Sequence, residues 1–570
     1  MAQLATQTVR PPLALGLRRF GTEQQVATGL IALLALFLLV VIALPLWALL
    51  SKSFQNADGA FVGLANFRTY FTTPTLVVSL FNSVWVAALT TAIVIPLAFL
   101  YAYALTRSRM PAKGLFYALA LLPVFAPSLL SAISLIYIFG NQGFLRQALF
   151  GQSIYGPIGI VLAEVFYTFP HAVLVLVTAL ALADGRLYEV AAALGTAPRR
   201  VFWTVTLPGA RYGLISATFV VFTLVVTDFG IPKVIGGQFN VLATDAYKQV
   251  VGQQNFEMGA VVGMILLVPA VLAFAVDRLA QRRQVALLSA RAVPYEPKPD
   301  RLRDLALVAF CAVVGGCILA TYGVSVWASF IRYWPYNLAL TLGNYVMENA
   351  EPGGWEPYVN SLKMAGLAAI LGTAIVFAGA YLIEKLKVFS AGRAFAQFLA
   401  MLPMAVPGLV LGLGYVFFFN AAWNPLNVLY GTLTVLVLNS VAHFYTVAHI
   451  TALTALKQID PEFESVSASL KVPFWLTFAR VTMPICTPAI LDVAVYLFVN
   501  ALTTVSAVIF LYGAGTKLAS IAIVHMDEAG AIAAAAAMAT TIMATAIAAK
   551  LLHLALNALV FERLQRWRKR

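Results

Sequence analysis

Twelve long apolar runs, separated by short polar segments, follow one another along the chain. A helix needs about 20 apolar residues to cross the hydrocarbon core of a membrane, and each run is long enough to do so. The runs in the first part of the chain cover roughly residues 26–50, 78–105, 114–140, 156–182, 210–233 and 257–280. Those in the second part cover roughly residues 304–330, 359–386, 394–420, 427–453, 485–511 and 530–558. The pattern predicts an all-α, polytopic membrane protein with twelve transmembrane helices, arranged as two tandem six-helix halves.

The polar segments between the runs suggest the domain boundaries and the orientation. Residues 281–303 are polar, basic and proline-containing, as is typical of a linker. The predicted divisions are an N-terminal segment (1–25), a first transmembrane domain (26–280), a linker (281–303), a second transmembrane domain (304–560) and a basic tail (561–570). Most Lys and Arg residues fall in the segments on one side, which is the cytoplasmic side by the positive-inside rule. We therefore expect a multi-pass protein of a bacterial inner membrane, with both termini in the cytoplasm.

The N-terminal segment is basic, with Arg10, Arg18 and Arg19 ahead of the first apolar run. That run, 26–50, is too long for the apolar region of a cleaved signal peptide. We interpret it as a retained first transmembrane helix.

The two halves share short sequence features. The third run contains Leu122-Pro123 followed by Pro127, and the ninth contains Leu402-Pro403 followed by Pro407. Asn82-Ser83 at the start of the second run recurs as Asn360-Ser361 in the eighth. An even number of spans in each half makes the repeat parallel, with a pseudo-twofold axis along the membrane normal. The pattern places a pathway where the halves meet.

Composition narrows the function classes. The chain is 61% hydrophobic and 11% charged, with a mean hydropathy of +0.87, which does not fit a water-soluble surface. The net charge of +14 lies in short basic clusters between apolar runs, which argues against a nucleic-acid partner. No Gly-x4-Gly-Lys-Ser/Thr motif occurs, and the histidines and cysteines show no metal-ligand spacing. The sequence therefore predicts no catalytic site, no metal site and no cofactor in this chain.

Two polar loops, Asp184–Pro208 and Asp460–Pro484, occupy equivalent places after the fourth run of each half. Leu194 pairs with Leu470 and Pro208 with Pro484 at the same separation of 276 residues. The small residues of each loop permit close approach of another surface, and Gly195 is suited to a left-handed helix cap. The predicted functional residues of the two loops are Glu189, Ala191, Ala192, Gly195, Leu207 and Pro208, and Glu464, Ser465, Leu470, Lys471 and Pro484.

The first loop resembles the "EAA" loop of bacterial ABC import permeases. That pattern is Glu-Ala-Ala, three residues, Gly, nine residues and Ile-x-Leu-Pro, and it is matched here by Glu189, Ala191, Gly195, Leu207 and Pro208. The resemblance implies a short coupling helix that docks on an ATP-binding subunit. In the second loop Ser465 stands in the Glu slot, beside Glu464, and Lys471 replaces Gly. We therefore expect the two loops to differ, with Glu464 as a candidate docking residue.

Twelve spans, duplicated halves and one such loop per half together resemble the fused permeases of the ferric-iron and 2-aminoethylphosphonate importers. Residues 227–260 look most like the 2-aminoethylphosphonate permeases. The resemblance implies a homodimeric ATP-binding-cassette ATPase that holds ATP and magnesium, and a periplasmic solute-binding protein. The expected solute is 2-aminoethylphosphonate, with ferric iron, a polyamine or another small ion as alternatives.

Polar residues inside the apolar runs are candidates for lining the pathway, since an ionisable residue that faces lipid costs a few kcal/mol. In the first half the candidates are acidic or hydroxylated, and in the second they are neutral. They are Glu164, Tyr167, Thr227 and Asp228, and Asn439, Thr503 and Thr504. A pathway that is acidic on one side suits an ammonium-bearing zwitterion or a cation. Interhelical hydrogen bonding is the alternative role for these residues.

A second class also has twelve spans in two parallel halves, namely the ion-coupled secondary transporters. A third possibility is a channel or structural protein without energy coupling. Neither class accounts for two matched amphipathic loops after the fourth span of each half.

Overall fold

The structure, a computed structural model, describes residues 21–287, 293 and 295–564. Most of the predicted N-terminal segment, with Arg10, Arg18 and Arg19, lies outside the described residues. So do part of the linker and most of the basic tail.

Helices make up most of the described part of the chain. The first half contains α1 (Thr22–Leu38), α2 (Leu44–Ser53), α3 (Ala65–Thr72), α4 (Pro74–Arg107), α5 (Lys113–Leu121), α6 (Ser128–Phe139), α7 (Pro157–Ala181), α8 (Arg186–Ala193), α9 (Pro198–Val201), α10 (Leu207–Gly209), α11 (Arg211–Thr227), α12 (Gly230–Ile235), α13 (Leu242–Tyr247) and α14 (Phe256–Leu287). The second half contains α15 (Arg301–Ser329), α16 (Glu356–Glu384), α17 (Ser390–Met401), α18 (Gly408–Phe419), α19 (Leu433–Lys457), α20 (Glu462–Ser469), α21 (Phe474–Thr477), α22 (Met483–Ile485), α23 (Thr487–Thr503), α24 (Ala519–Glu528) and α25 (Ile532–Leu564).

Short elements join these helices. The π-helical turns are Leu39–Ala43, Phe202–Thr206, Lys248–Gly252 and Phe478–Thr482. The 3₁₀ turns are Leu122–Phe125, Arg146–Leu149, Gly343–Tyr345, Met347–Asn349, Leu402–Ala405 and Pro425–Leu429. Between α15 and α16, β1 (Ile331–Tyr333) pairs antiparallel with β2 (Asn337–Leu340), with Ile331 opposite Leu340 and Tyr333 opposite Asn337.

Eight helices in the described ranges are long and apolar enough to cross a membrane, and four further pairs meet the same test as bent pairs. The total reaches the predicted twelve if each bent pair counts as one span. The bent pairs are the third and fifth spans of each half, so the two halves have bends at equivalent spans.

The third and ninth runs, predicted as continuous helices over 114–140 and 394–420, are broken in the structure, so that part of the prediction was wrong. The axes turn by 100° between Lys113–Phe125 and Ser128–Phe139, and by 117° at the equivalent place. The residue before a proline is driven out of the helical region, and Ala126 (ψ 144°) and Val406 (ψ 117°) are both extended. Pro127 and Pro407 therefore end one helical segment and start the next.

The first helix of each half packs against the other half. α1 lies against α16 and α17, whereas α15 lies against α4, α5 and α6 and also against α25 of its own half. α2 crosses α18 so closely that a Cβ at Gly414 would lie 2.6 Å from the Pro45 carbonyl oxygen, and the Tyr415 hydroxyl donates to the Val41 carbonyl at 2.7 Å. The two halves are therefore interlocked by an exchange of their first helices.

The repeated Asn-Ser pairs position the connection between the fifth and sixth spans of each half. Ser83 Oγ accepts a hydrogen bond from the backbone of Leu242, the first residue of α13, at 2.8 Å. Ser361 Oγ accepts from Ala519, the first residue of α24, also at 2.8 Å. A hydroxyl supplied from another helix thus caps a free helix N-terminus in both halves.

Candidate functional site

The two matched loops fold in the same way. Each begins with an eight-residue helix, α8 or α20, followed by a one-turn helix, a π-helical turn and a last short turn that leads into the next span. Corresponding elements keep the separation of 276 residues throughout, so the two loops share one backbone fold although their sequences differ at the Glu and Gly slots.

Both helices end in a Schellman arrangement. In the first loop, Thr196 N bonds to Ala191 O at 2.9 Å and Gly195 N to Ala192 O at 3.0 Å. In the second loop the same two bonds run from Val472 to Ser467 and from Lys471 to Ala468. The motif requires a left-handed residue after the helix, and Gly195 has φ +63° as predicted. Lys471 adopts φ +55° in the glycine slot, so the second loop carries backbone strain that the first lacks.

Exchanging these two residues should shift the local stability of the two helices in opposite directions. Lys471→Gly is expected to stabilise α20 by about 1 kcal/mol, and Gly195→Lys to destabilise α8 by about the same amount. No heavy atom lies within 4 Å of a Cβ at Gly195, so the effect comes from the backbone alone. Amide hydrogen exchange should be about fivefold slower in α20 of the first variant and faster in α8 of the second. Unchanged exchange in both would show that the left-handed backbone carries no strain.

A basic residue at the end of the second span of each half anchors the helix of the corresponding loop. Arg107, at the end of α4, donates to the Leu180 carbonyl at 2.6 Å and to the Tyr188 hydroxyl at 3.3 Å. Lys385, which follows α16, forms a 2.8 Å salt bridge with Glu464. Tyr188 and Glu464 occupy the same position in the two loops, so each loop helix is tied to the bundle at one point in its first turn.

Glu464, the candidate docking residue of the second loop, makes its ionic contact within this chain. Its carboxylate is paired with Lys385 inside the chain, whereas Glu189 and Ser465 are exposed. Glu464 therefore holds α20 to α16, and its position corresponds to Tyr188 rather than to Glu189.

The end of the linker contacts the first loop. The backbone N–H of Gly185 donates to the Val293 carbonyl at 2.8 Å, and the ring of Tyr295 lies 4.3 Å from that of Tyr188. The Arg107 guanidinium lies 4.7 Å from the centre of the Tyr295 ring, and burial raises the pKa of this tyrosine, which keeps its hydroxyl neutral. At the second loop, a different segment makes the contact, because Phe474 N donates to Glu23 of α1 at 2.9 Å.

Each loop helix exposes a row of three large apolar side chains. On α8 and its C-cap these are Leu187 (56% exposed), Val190 (57%) and Leu194 (76%). On α20 and its C-cap they are Phe463 (47%), Val466 (56%) and Leu470 (70%). The spacing of three and four residues places each set on one helical face. Leu194 and Leu470 were noted in the matched loops, but the other four residues were not, although an i, i+3, i+7 apolar pattern inside a polar loop indicates them.

Pro208 and Pro484 lie in the short helical turns that precede the next span. The spans proper, α11 and α23, begin after bends of 63° and 79°. Because a proline has no N–H to donate, the regular ladder is interrupted here. Just upstream of each proline, the N–H of Leu207 bonds five residues back to Phe202, and that of Met483 to Phe478, which produces the π-helical turns.

The structure brings the first-half pathway candidates together where α11 ends. Glu164 is fully buried in α7, and Asp228 is buried immediately after α11. Asp228 immediately precedes α12, which packs against α7, the helix that carries Glu164 and Tyr167. Thr227 donates to the Thr223 carbonyl of its own helix at 2.8 Å. Glu164 and Asp228 are therefore buried on packed elements, Tyr167 is partly buried, and the hydroxyl of Thr227 bonds within α11.

The second-half candidates bind the backbone around the corresponding break. Asn439 donates to the Ala507 carbonyl at 2.7 Å, and the Thr504 carbonyl accepts from Ser520 Oγ at 2.7 Å. Thr503 donates to the Val499 carbonyl of its own helix. Asn439 thus ties α19 to the turn that follows α23.

Comparison with known proteins supports one class. Residues 94–285 match the family described as binding-protein-dependent transport system inner membrane component. The match covers about a third of this chain and, together with the helices that are long and apolar enough to cross a membrane, it supports a multi-pass transport permease.

The relatives are transport permeases. The chain is 29% identical over 435 residues to a putative ferric transport system permease protein of Haemophilus influenzae, a match that covers 73% of this chain and 68% of the relative. It is 29% identical over 447 residues to a ferric transport system permease protein of Actinobacillus pleuropneumoniae, covering 75% and 64%. A molybdenum transport system permease protein of Mycobacterium tuberculosis is 29% identical over 241 residues, covering 42% of this chain and 88% of the relative. The ferric matches are too long to lie within one half.

Proposed function

We propose that this chain forms the solute pathway of an ABC importer and that α8 and α20 are its two coupling helices, each docked on one ATP-binding subunit. The observation that carries the proposal is the pair of exposed apolar rows, Leu187, Val190 and Leu194 and their equivalents on α20. Three large apolar side chains on a short helix in a polar loop are costly in water and suit the core of a protein interface.

The loop connections explain how force on a coupling helix reaches the bundle. Arg107 and Lys385 tie the start of each coupling helix to the second span, and the π-helical turn joins its other end to the fifth span. Displacement of α8 therefore moves α4 and α11 together. In the second half, α20 moves α16 and α23 in the same way.

The remaining parts of the assembly follow from this arrangement. The ATPase is a homodimer that holds ATP and magnesium, and it faces the loops on the cytoplasmic side, where both chain termini also lie. A periplasmic binding protein delivers solute to the opposite face. ATP binding closes the ATPase pair, moves both coupling helices and opens the pathway outward, and hydrolysis resets it. The support for these partners is the family match at residues 94–285 and the equivalence of the two loops.

For the solute, we propose a small molecule or ion that carries positive charge. The ferric permeases among the relatives favour ferric iron. The resemblance of residues 227–260 favours 2-aminoethylphosphonate, for which the relatives give no support. Both solutes present a cationic group, which fits the buried carboxyl groups of the first half.

Uptake by cells that express the whole importer tests the solute directly. Cells with this chain, its ATPase and its binding protein should accumulate one of the two solutes well above cells that lack this chain. Ferric iron is followed as the ⁵⁵Fe-loaded binding protein, and 2-aminoethylphosphonate as the ¹⁴C compound. Accumulation of neither solute in cells with a complete, correctly assembled importer would contradict the proposed solute class.

A further inference from the structure

Glu164 is a buried carboxyl group without a partner. It lies about two turns into α7 with no exposed surface, and neither carboxyl oxygen has a hydrogen-bond partner among the described residues. A carboxyl group buried without hydrogen bonds costs several kcal/mol if it is charged. A residue kept at that cost inside a transmembrane helix indicates a function beyond packing.

Asp228, the second buried carboxylate, does not supply the hydrogen bond that Glu164 lacks. The Asp228 carboxylate accepts hydrogen bonds from the Ile231 N–H at 2.8 Å, where it caps the start of α12, and from the Ser128 hydroxyl. The helix that Asp228 caps, α12, packs against α7, which carries Glu164. Two buried carboxyl groups on packed helices, one of them without a hydrogen-bond partner among the described residues, favour a positively charged group beside them.

Asp228 lies at a point where two spans of the first half are interrupted. Asp228 follows the end of α11 and caps α12, and Ser128 is the first residue of α6 after the break at Pro127. Discontinuous helices near the membrane midplane are where transporters place their substrate sites. In the second half the position equivalent to Glu164 is Ser440, whose hydroxyl faces Met364, so the acidic pair exists in one half only.

From this geometry we infer that Glu164 and Asp228 form a one-sided recognition site for a cationic group, either an ammonium or a metal cation, in transit through the first half. Passage of the cation through the first half rests on the proposed function. Binding of the cation to the chain does not depend on it. In this site Asp228 is held in place by its backbone and hydroxyl donors, and Glu164 supplies the carboxylate that the cation neutralises.

Thermal unfolding of the purified full-length chain tests cation binding without any partner. Ethylammonium chloride and gallium(III) citrate serve as separate probes for an ammonium and for a trivalent metal, with sodium salts of the same anions at equal ionic strength as controls. We expect one probe to raise the unfolding midpoint by about 2 °C or more in a saturable manner, because a ligand of the native state stabilises it. The isosteric, neutral variant Glu164→Gln should lose this shift. Thr168→Val, one turn further along α7, should keep it.

Uptake by the reconstituted importer separates this inference from the proposed function. Glu164→Gln should lower ATP-dependent uptake of the transported solute at least tenfold, while Thr168→Val transports normally. A midpoint shift that persists in Glu164→Gln, or no shift with either probe in the parent chain, overturns the inference. A shift that depends on Glu164 in a complex that transports neither ferric iron nor 2-aminoethylphosphonate would support the cation site and contradict the proposed solute.

Discussion

Introducing a carboxylate into both exposed apolar rows, as Val190→Glu with Val466→Glu, is expected to abolish transport. Each valine is the middle residue of its row and is more than half exposed in the free chain. In the proposed complex it lies at the centre of an interface, where a disfavoured contact costs about 2 kcal/mol or more and so reduces affinity about thirtyfold. Two such losses in one complex should release the ATPase. Co-purification with the ATPase and ATP-dependent uptake measure the result.

A matched control is available on another loop. Val428 is 77% exposed and lies in the 3₁₀ turn between α18 and α19, away from both coupling helices. Val428→Glu makes the same chemical change and should leave co-purification and uptake intact. If the double variant retains its ATPase and transports like the parent, α8 and α20 are not the docking elements.

Reversing one charge of the ion pair between the halves is expected to change the balance between the closed and open forms of the pathway. Lys233 of α12 forms a 2.5 Å salt bridge with Glu528 of α24, and its ammonium lies 4.8 Å from the Tyr247 ring centre, which itself stacks near Phe510. These contacts join the connections between the fifth and sixth spans of the two halves. Burial, followed by the Glu528 charge, raises the pKa of the adjacent Asp527 to about 6, and Lys233 acts in the opposite direction.

Lys233→Glu therefore places three acidic groups together, and we expect the two connections to separate. Since the pair is partly exposed, we expect a shift of about tenfold in the equilibrium between the two forms. ATPase activity without binding protein should rise accordingly, and uptake should fall. Lys233→Glu with Glu528→Lys should restore both, because the attraction is re-formed with reversed sign.

The control for this experiment is an ion pair within one half. Lys52 and Glu257 form a 2.8 Å salt bridge between α2 and α14. Lys52→Glu should leave the ATPase rate without binding protein unchanged. Equal effects of Lys52→Glu and Lys233→Glu, or no rescue by the double reversal, would show that the contact between α12 and α24 does not control the pathway.

Hydropathy and loop register predicted much of this fold because both are local. Each apolar run corresponds to a helix or to a bent pair of helices, and the left-handed backbone at Gly195 follows from the glycine itself. The breaks at Pro127 and Pro407 were also encoded locally, and treating the runs as continuous ignored the restriction that a proline places on the residue before it.

Long-range partners were beyond the reach of sequence patterns. The exchange of α1 and α15 between the halves depends on which helix surfaces fit, and hydropathy is the same for either partner. The roles of Lys385 and Glu464 depend on a contact between residues 79 positions apart, which no local spacing indicates. In the same way, Asp228 was recognisable as an intramembrane carboxylate, but its capping of Ile231 and its bond to Ser128 required coordinates.

The most direct test of energy coupling through α8 and α20 is solute uptake by proteoliposomes of defined composition. Vesicles with this chain, its ATPase and ATP should accumulate the solute presented on its binding protein. Vesicles that lack the ATPase, or that contain it with the Val190→Glu and Val466→Glu chain, should accumulate none. Accumulation of solute by this chain alone, with no ATPase present, would contradict the account.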